Sequence, residues 1–116
     1  MTQQEASEHY NIPVSILQQY ESWGLRGETQ KVMGAWQYDD GDLERLSTIM
    51  TLHDIGFTTE EVETYMRLLL EQPDSEAKRL RMMEEKRSET LDEIHFRERQ
   101  LQRLDYLRHE IKKGTE

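Results

Sequence analysis

The sequence predicts a mostly α-helical chain, built as a helix-turn-helix unit with a two-stranded wing and followed by one long C-terminal helix. Three observations predict it. In the stretch 12–25, IPVSILQQYESWGL, apolar residues fall at Ile16, Leu17, Tyr20 and Trp23, the spacing of one helical face, and Gly24 supplies a stop. The next stretch, 25–37, holds Gly27, Gly34 and few apolar residues apart from Val32-Met33, which suits a short two-stranded wing better than a helix. From Ser75 to about Lys113 there is neither Pro nor Gly, only strong helix formers.

The elements follow in order. Thr2 and Glu5 have the spacing of a capping box and open a helix to about Tyr10, which Asn11 breaks. Pro13 suits the first turn of the second helix. After the wing, Asp39 to Asp42 give an acidic start to a third helix, whose stripe is Leu43, Leu46, Ile49, Met50 and Leu52 and whose end is Gly56. Thr58 and Glu61 form another capping-box pair, and a fourth helix runs through Val62, Tyr65, Met66 and Leu69 to Pro73.

In the long C-terminal stretch, Leu80, Met83, Arg87, Thr90, Ile94, Arg97, Leu101, Leu104, Arg108 and Ile111 alternate by threes and fours. A helix of about 38 residues reaches roughly 57 Å, more than a domain this small can cover. Its seam therefore needs a partner, and a second copy is the simplest one, with Leu80, Met83, Ile94, Leu101, Leu104 and Ile111 as the dimerisation residues. The other reading folds the helix back over its own domain. The expected division is residues 1–72 for the helix-turn-helix domain and 75–113 for the dimerisation helix.

Composition narrows the function. The 116 residues carry a net charge of -9, and Cys is absent, which excludes disulfides and thiolate metal sites and fits a reducing cytoplasm. No apolar run is long enough to span a membrane and the N-terminus is not a secretory signal, so a cytoplasmic location is expected. Residues 1–57 hold three basic side chains (Arg26, Lys31, Arg45) against nine acidic ones, a balance of -6, and the remainder holds twelve against fifteen. The half expected to touch nucleic acid is the more acidic half, which counts against tight nonspecific binding to phosphates.

The order and spacing of Tyr20-Glu21, Gly24-Leu25, Tyr38, Asp42-Leu43-Glu44-Arg45-Leu46, Ile55-Gly56-Phe57-Thr58 and Glu60-Glu61-Val62 resemble those of the MerR family of bacterial regulators, over essentially the whole chain. The resemblance implies a winged helix in the first half and an antiparallel coiled coil of the long helices in a homodimer. It also implies that the dimer binds a pseudo-palindromic promoter spacer and distorts it, so that RNA polymerase meets realigned promoter elements.

Departures from the family pattern bear on that expectation. Where members commonly show R-x-L-R-Y-Y-E in the recognition helix, this chain has Ser15-Ile16-Leu17-Gln18-Gln19-Tyr20-Glu21, with both arginine positions uncharged. Where the wing often reads G-Y-R-x-Y, it has Gly34-Ala35-Trp36-Gln37-Tyr38. Each lost cation removes a phosphate or base-edge contact. The expected DNA-binding residues are therefore Ser15, Gln18 and Gln19, with Gln able to pair with adenine. Arg26 and Lys31 are the wing cations for phosphate. Tyr20, Trp36 and Tyr38 match contact positions but equally suit core or bracing roles. The second reading is a dimeric protein-interaction module of the same fold that has lost DNA binding.

Catalysis, metals and cofactors find no pattern. The acidic pairs sit at helix starts, where the helix dipole accounts for them. The four histidines (His9, His53, His95 and His109) lack ligand spacing, and no enzyme, metal or cofactor function is expected. Effector sensing would have to use a small-molecule groove between the coiled coil and the Tyr65–Leu70 helix, lined by Met66, Met82 and Met83, a protein partner, or nothing.

Overall fold

The computed structural model describes residues 1–25, 31–32 and 35–114, the strand residues among them by their backbone alone. Five helices and one ribbon follow in order: α1 Gln3–Tyr10, α2 Val14–Trp23, β1 Lys31–Val32, β2 Ala35–Trp36, α3 Asp40–Asp54, α4 Thr59–Glu71 and α5 Glu76–Gly114. The strands pair antiparallel, Lys31 opposite Trp36 and Val32 opposite Ala35, as the Gly-containing stretch predicts. Arg26 lies outside the described residues, as do the side chains of Lys31 and Trp36.

The helix boundaries come from local chemistry. Thr2 caps α1 by accepting from the Glu5 amide, while the Glu5 carboxylate takes the Thr2 hydroxyl instead of completing the box on the backbone. Asn11 adopts a left-handed conformation and turns the chain into α2, which Pro13 precedes as the N-cap and which ends where Gly24 sits at φ 66°, a conformation that costs glycine least. Asp39 and Asp42 form a complete capping box on α3, and Thr58 and Glu61 form one on α4.

Two compact units result, Met1–Arg79 and Leu80–Glu116. The core of the first is Ala6, Ile12, Leu17, Tyr20, Trp23, Tyr38, Leu46, Ile49, Leu52, Phe57, Val62 and Met66. Full burial of a residue such as Leu17 or Ile49 contributes about 1.5–3 kcal/mol. Met66 is thus a core residue, while Met82 and Met83 are half-buried. In the second unit α5 continues as unbroken helix, and none of its residues is buried.

At the α4–α5 corner, the buried Ser75 hydroxyl donates to the Leu68 carbonyl at 2.7 Å and accepts from Arg79 Nε at 3.0 Å. The Arg79 guanidinium lies over the Tyr65 ring, 5.8 Å from its centroid. No described helix is long and apolar enough to cross a membrane.

Candidate nucleic-acid interface

The candidate interface starts from α2, and its buried face decides its exposed one. Leu17, Tyr20 and Trp23 point into the core. Helical periodicity then turns Ser15, Gln18 and Ser22 outward, all three exposed, with Gln19 half-buried between them. The sequence reading did not single out Ser22. Its hydroxyl bonds the Gln19 carbonyl at 2.7 Å, and the i, i+3, i+4, i+7 spacing from Ser15 could have found it.

Gln19 carries an anomaly. Its Oε1 is buried and has no hydrogen-bond partner. A buried polar atom left unpaired costs about 1–3 kcal/mol.

Tyr20 is placed inside. It is fully buried, and its hydroxyl donates to Asp42 Oδ1 at 2.6 Å while accepting from Arg45 Nη1 at 3.3 Å. Burial, and then the bond to Asp42, push the Tyr20 hydroxyl up to about 12, so it remains a donor throughout the neutral range. Asp42 meanwhile accepts the Asp39 backbone amide through Oδ2. One carboxylate therefore caps α3 and anchors α2. In the sequence Asp42 shows as part of an acidic helix start and of the family pattern, but its bond to Tyr20 spans 22 positions and has no local signal.

Tyr38 is likewise buried. Its hydroxyl donates to Glu21 Oε1 on α2, and its backbone amide donates to the Met1 carbonyl at 2.7 Å. The strand ribbon is thus stitched at its exit both to the start of the chain and to α2. Two residues further along the same last turn of α2, Arg67 of α4 donates through Nη2 to the Trp23 carbonyl at 3.0 Å, while Nε and Nη1 hold Glu63 and Glu71. A cation at the C-terminus of α2 complements the helix dipole.

Among the described residues no group of His, Asp and Glu is arranged to hold a metal ion. What the site offers is a short helix fixed at three points, with an uncharged hydrogen-bonding face, followed by a ribbon.

The model of the MerR HTH family regulatory proteins matches residues 1–69, from α1 to within α4. The chain belongs to the MerR family. Two solved structures are similar across most of the chain. HiNmlR, described as a MerR family regulator lacking the sensor domain and bound to promoter DNA, is 24% identical with a TM-score of 0.66, over 90% of this chain and 84% of HiNmlR. A MerR family transcriptional regulator from Bacillus thuringiensis is 19% identical with a TM-score of 0.63, over 90% and 93%. Among curated proteins no sequence match is found. At these identities the likeness speaks for the fold, and this MerR-family chain has it from the helix-turn-helix to the long helix.

Proposed function

We propose that this MerR-family chain is a homodimeric transcription regulator that binds and distorts promoter DNA, with residues 1–72 reading the duplex and 75–113 forming an antiparallel coiled coil. The observation that carries the reading is α2 itself. It is pinned by Tyr20–Asp42, Glu21–Tyr38 and Arg67–Trp23, and it turns Ser15 and Gln18 outward with Gln19 half-buried between them. Such pinning supplies the rigidity that groove readout needs. HiNmlR, which shares the fold, is seen on promoter DNA.

In this reading Ser15, Gln18 and Gln19 contact base edges, Arg26 and Lys31 contact phosphates, and Trp36 adds a further contact from the wing. Tyr20 and Tyr38 act from within, by holding α2 and the ribbon in place. The dimerisation residues are Leu80, Met83, Ile94, Leu101, Leu104 and Ile111; Ile94 is 47% exposed and Ile111 69%, apolar surface that a second copy would cover. RNA polymerase, or another protein, is the downstream partner, and the setting is the cytoplasm.

The test is an electrophoretic mobility shift on the DNA upstream of the protein's own coding sequence and on a library of genomic fragments. A salt-sensitive shift is expected, and Arg26→Ala with Lys31→Ala lowers the slope of log affinity against log salt by about 2. Absence of any shift at low salt on every fragment refutes DNA binding.

One observation favours the second reading, a dimeric interaction module without DNA affinity. Residues 1–79 hold six basic side chains against fifteen acidic ones, so the whole net charge of -9 lies in the first unit. A monodisperse dimer that retains no genomic fragment is the result that selects it.

A further inference from the structure

The apolar seam of α5 is interrupted by charge. Between Leu80 and Ile111, three seam positions hold arginine: Arg87, Arg97 and Arg108. All three are exposed in the single chain, where Arg108 reaches Asp105 of its own helix at 3.3 Å and Arg97 reaches Gln100 at 3.0 Å. An arginine enclosed in a seam loses water, and a carboxylate has to meet it there. Beside the seam stand Glu84, Glu98 and Asp105 on one flank and Glu93 on the other.

These charges discriminate between the ways in which two copies can pair. In parallel pairing each arginine meets the same arginine of the partner, which puts three like-charge layers into one seam. Antiparallel pairing allows registers one heptad apart. With the two-fold axis between His95 and Phe96, Arg87 lies opposite the partner's Leu104, Arg97 opposite the partner's Ile94 and Arg108 opposite the partner's Met83. Next to those three residues, on the matching flank, are the partner's Asp105, the partner's Glu93 and the partner's Glu84. A shift of one heptad in one direction sets Arg87 against the partner's Arg97. The opposite shift sets Arg87 beside the partner's Lys112, Arg97 beside the partner's Gln100 and Arg108 beside the partner's Leu91. Of these arrangements, one gives every seam arginine a carboxylate.

From this matching we infer that α5 selects its own copy, antiparallel and in the single register centred between His95 and Phe96, through the pairs Arg87–Asp105, Arg97–Glu93 and Arg108–Glu84. The inference deepens the homodimer reading and rests on it. Apolar layers supply the attraction, and the three pairs decide direction and register. Toward either end of the seam, Glu84 and Arg87 of one helix join Asp105 and Arg108 of the other in a cluster of alternating sign. A helix without carboxylates at those heights leaves the arginines enclosed without a counter-charge and is disfavoured.

The chain contains no cysteine, so an introduced one reports its neighbour. Full-length Thr90→Cys and Leu101→Cys chains are mixed, allowed to exchange and mildly oxidised. In the inferred register residue 90 faces the partner's residue 101 within disulfide reach, whereas two copies of one variant hold their cysteines about 16 Å apart. Mass spectrometry is expected to find the mixed disulfide in clear excess over either self-linked product. In sedimentation, Arg97→Glu is expected to raise the dimer dissociation constant at least about tenfold, and Glu93→Arg in the same chain to restore it, at unchanged helical content. Self-linked products in excess show parallel pairing and overturn the inference. A dimer that forms no mixed disulfide, ignores Arg97→Glu or stays weakened in the double variant overturns the register and leaves the homodimer reading standing. A wild type that sediments as a monomer at every concentration overturns both.

Discussion

The Tyr20 hydroxyl and the Asp42 carboxylate meet at 2.6 Å inside the core, joining the candidate recognition helix to the start of α3. Asp42 is 2% exposed, and Arg45 completes the cluster at 3.4 Å from its Oδ1. A buried carboxylate of this kind is held by its donors, and losing one leaves it short of a partner. Tyr20→Phe is therefore expected to lower unfolding free energy by about 1–3 kcal/mol while keeping the helical content. Urea unfolding followed by circular dichroism measures this, and an unchanged midpoint would show that the bond contributes nothing.

The same pair predicts an alkaline limit to stability. Tyrosine in the unfolded chain ionises near 10, whereas burial, followed by the bond to Asp42, holds Tyr20 in the folded state up to about 12. Between those values the unfolded chain has released a proton that the folded chain keeps. The stabilisation is complete below about pH 10 and is lost as pH rises through about 12. Melting temperatures taken across that window should fall more steeply for the wild type than for Tyr20→Phe. Parallel slopes would contradict the assignment.

Gln19 should show opposite effects on stability and binding. Gln19→Met keeps the side-chain length and removes the unpaired buried Oε1, so the free protein is expected to gain about 1 kcal/mol. If the amide reads a base, the same change weakens binding to the selected DNA fragment by about 1–3 kcal/mol. Thermal unfolding and titration on one preparation provide both numbers. A loss of stability would mean that the amide supports the fold.

At the α4–α5 corner, Ser75→Ala removes the bond to the Leu68 carbonyl and the acceptor for Arg79 Nε. A cost of about 1 kcal/mol in thermal unfolding is expected, the ordinary net value of a buried hydrogen bond. A variant as stable as the wild type would show that the corner is held by packing alone.

Ile94→Glu with Leu101→Glu tests the second unit. Both residues are exposed and apolar within one chain. If a second copy covers them, the two carboxylates enter a desolvated seam, and sedimentation should report a monomer at micromolar concentration. Persistence of a dimer would place the interface elsewhere.

Much of the fold was legible in the sequence because it is local. Thr2, Asp39, Thr58 and their partners three residues on mark helix starts, and Gly24 marks an end. The stripe Leu17, Tyr20 and Trp23 marks a buried face. These signals act within a turn or two of helix, where spacing fixes geometry. The candidate site was less legible. Ser15 and Gln18 are where periodicity puts them, but nothing local distinguishes a Tyr that faces a phosphate from one that faces an aspartate.

The sequence by itself thus determined the order and limits of the helices, the strand ribbon, the family and the uncharged outer face of α2. Only the tertiary structure decided that Tyr20 and Tyr38 turn inward, that Asp42 serves two helices and that Gln19 is left with an unpaired oxygen. The physical reason is distance along the chain. Caps and stripes are set by neighbours up to four residues away, whereas Tyr20 meets Asp42 across 22 positions and Arg67 meets Trp23 across 44. Such partners are chosen by how the helices pack, and no local spacing encodes them.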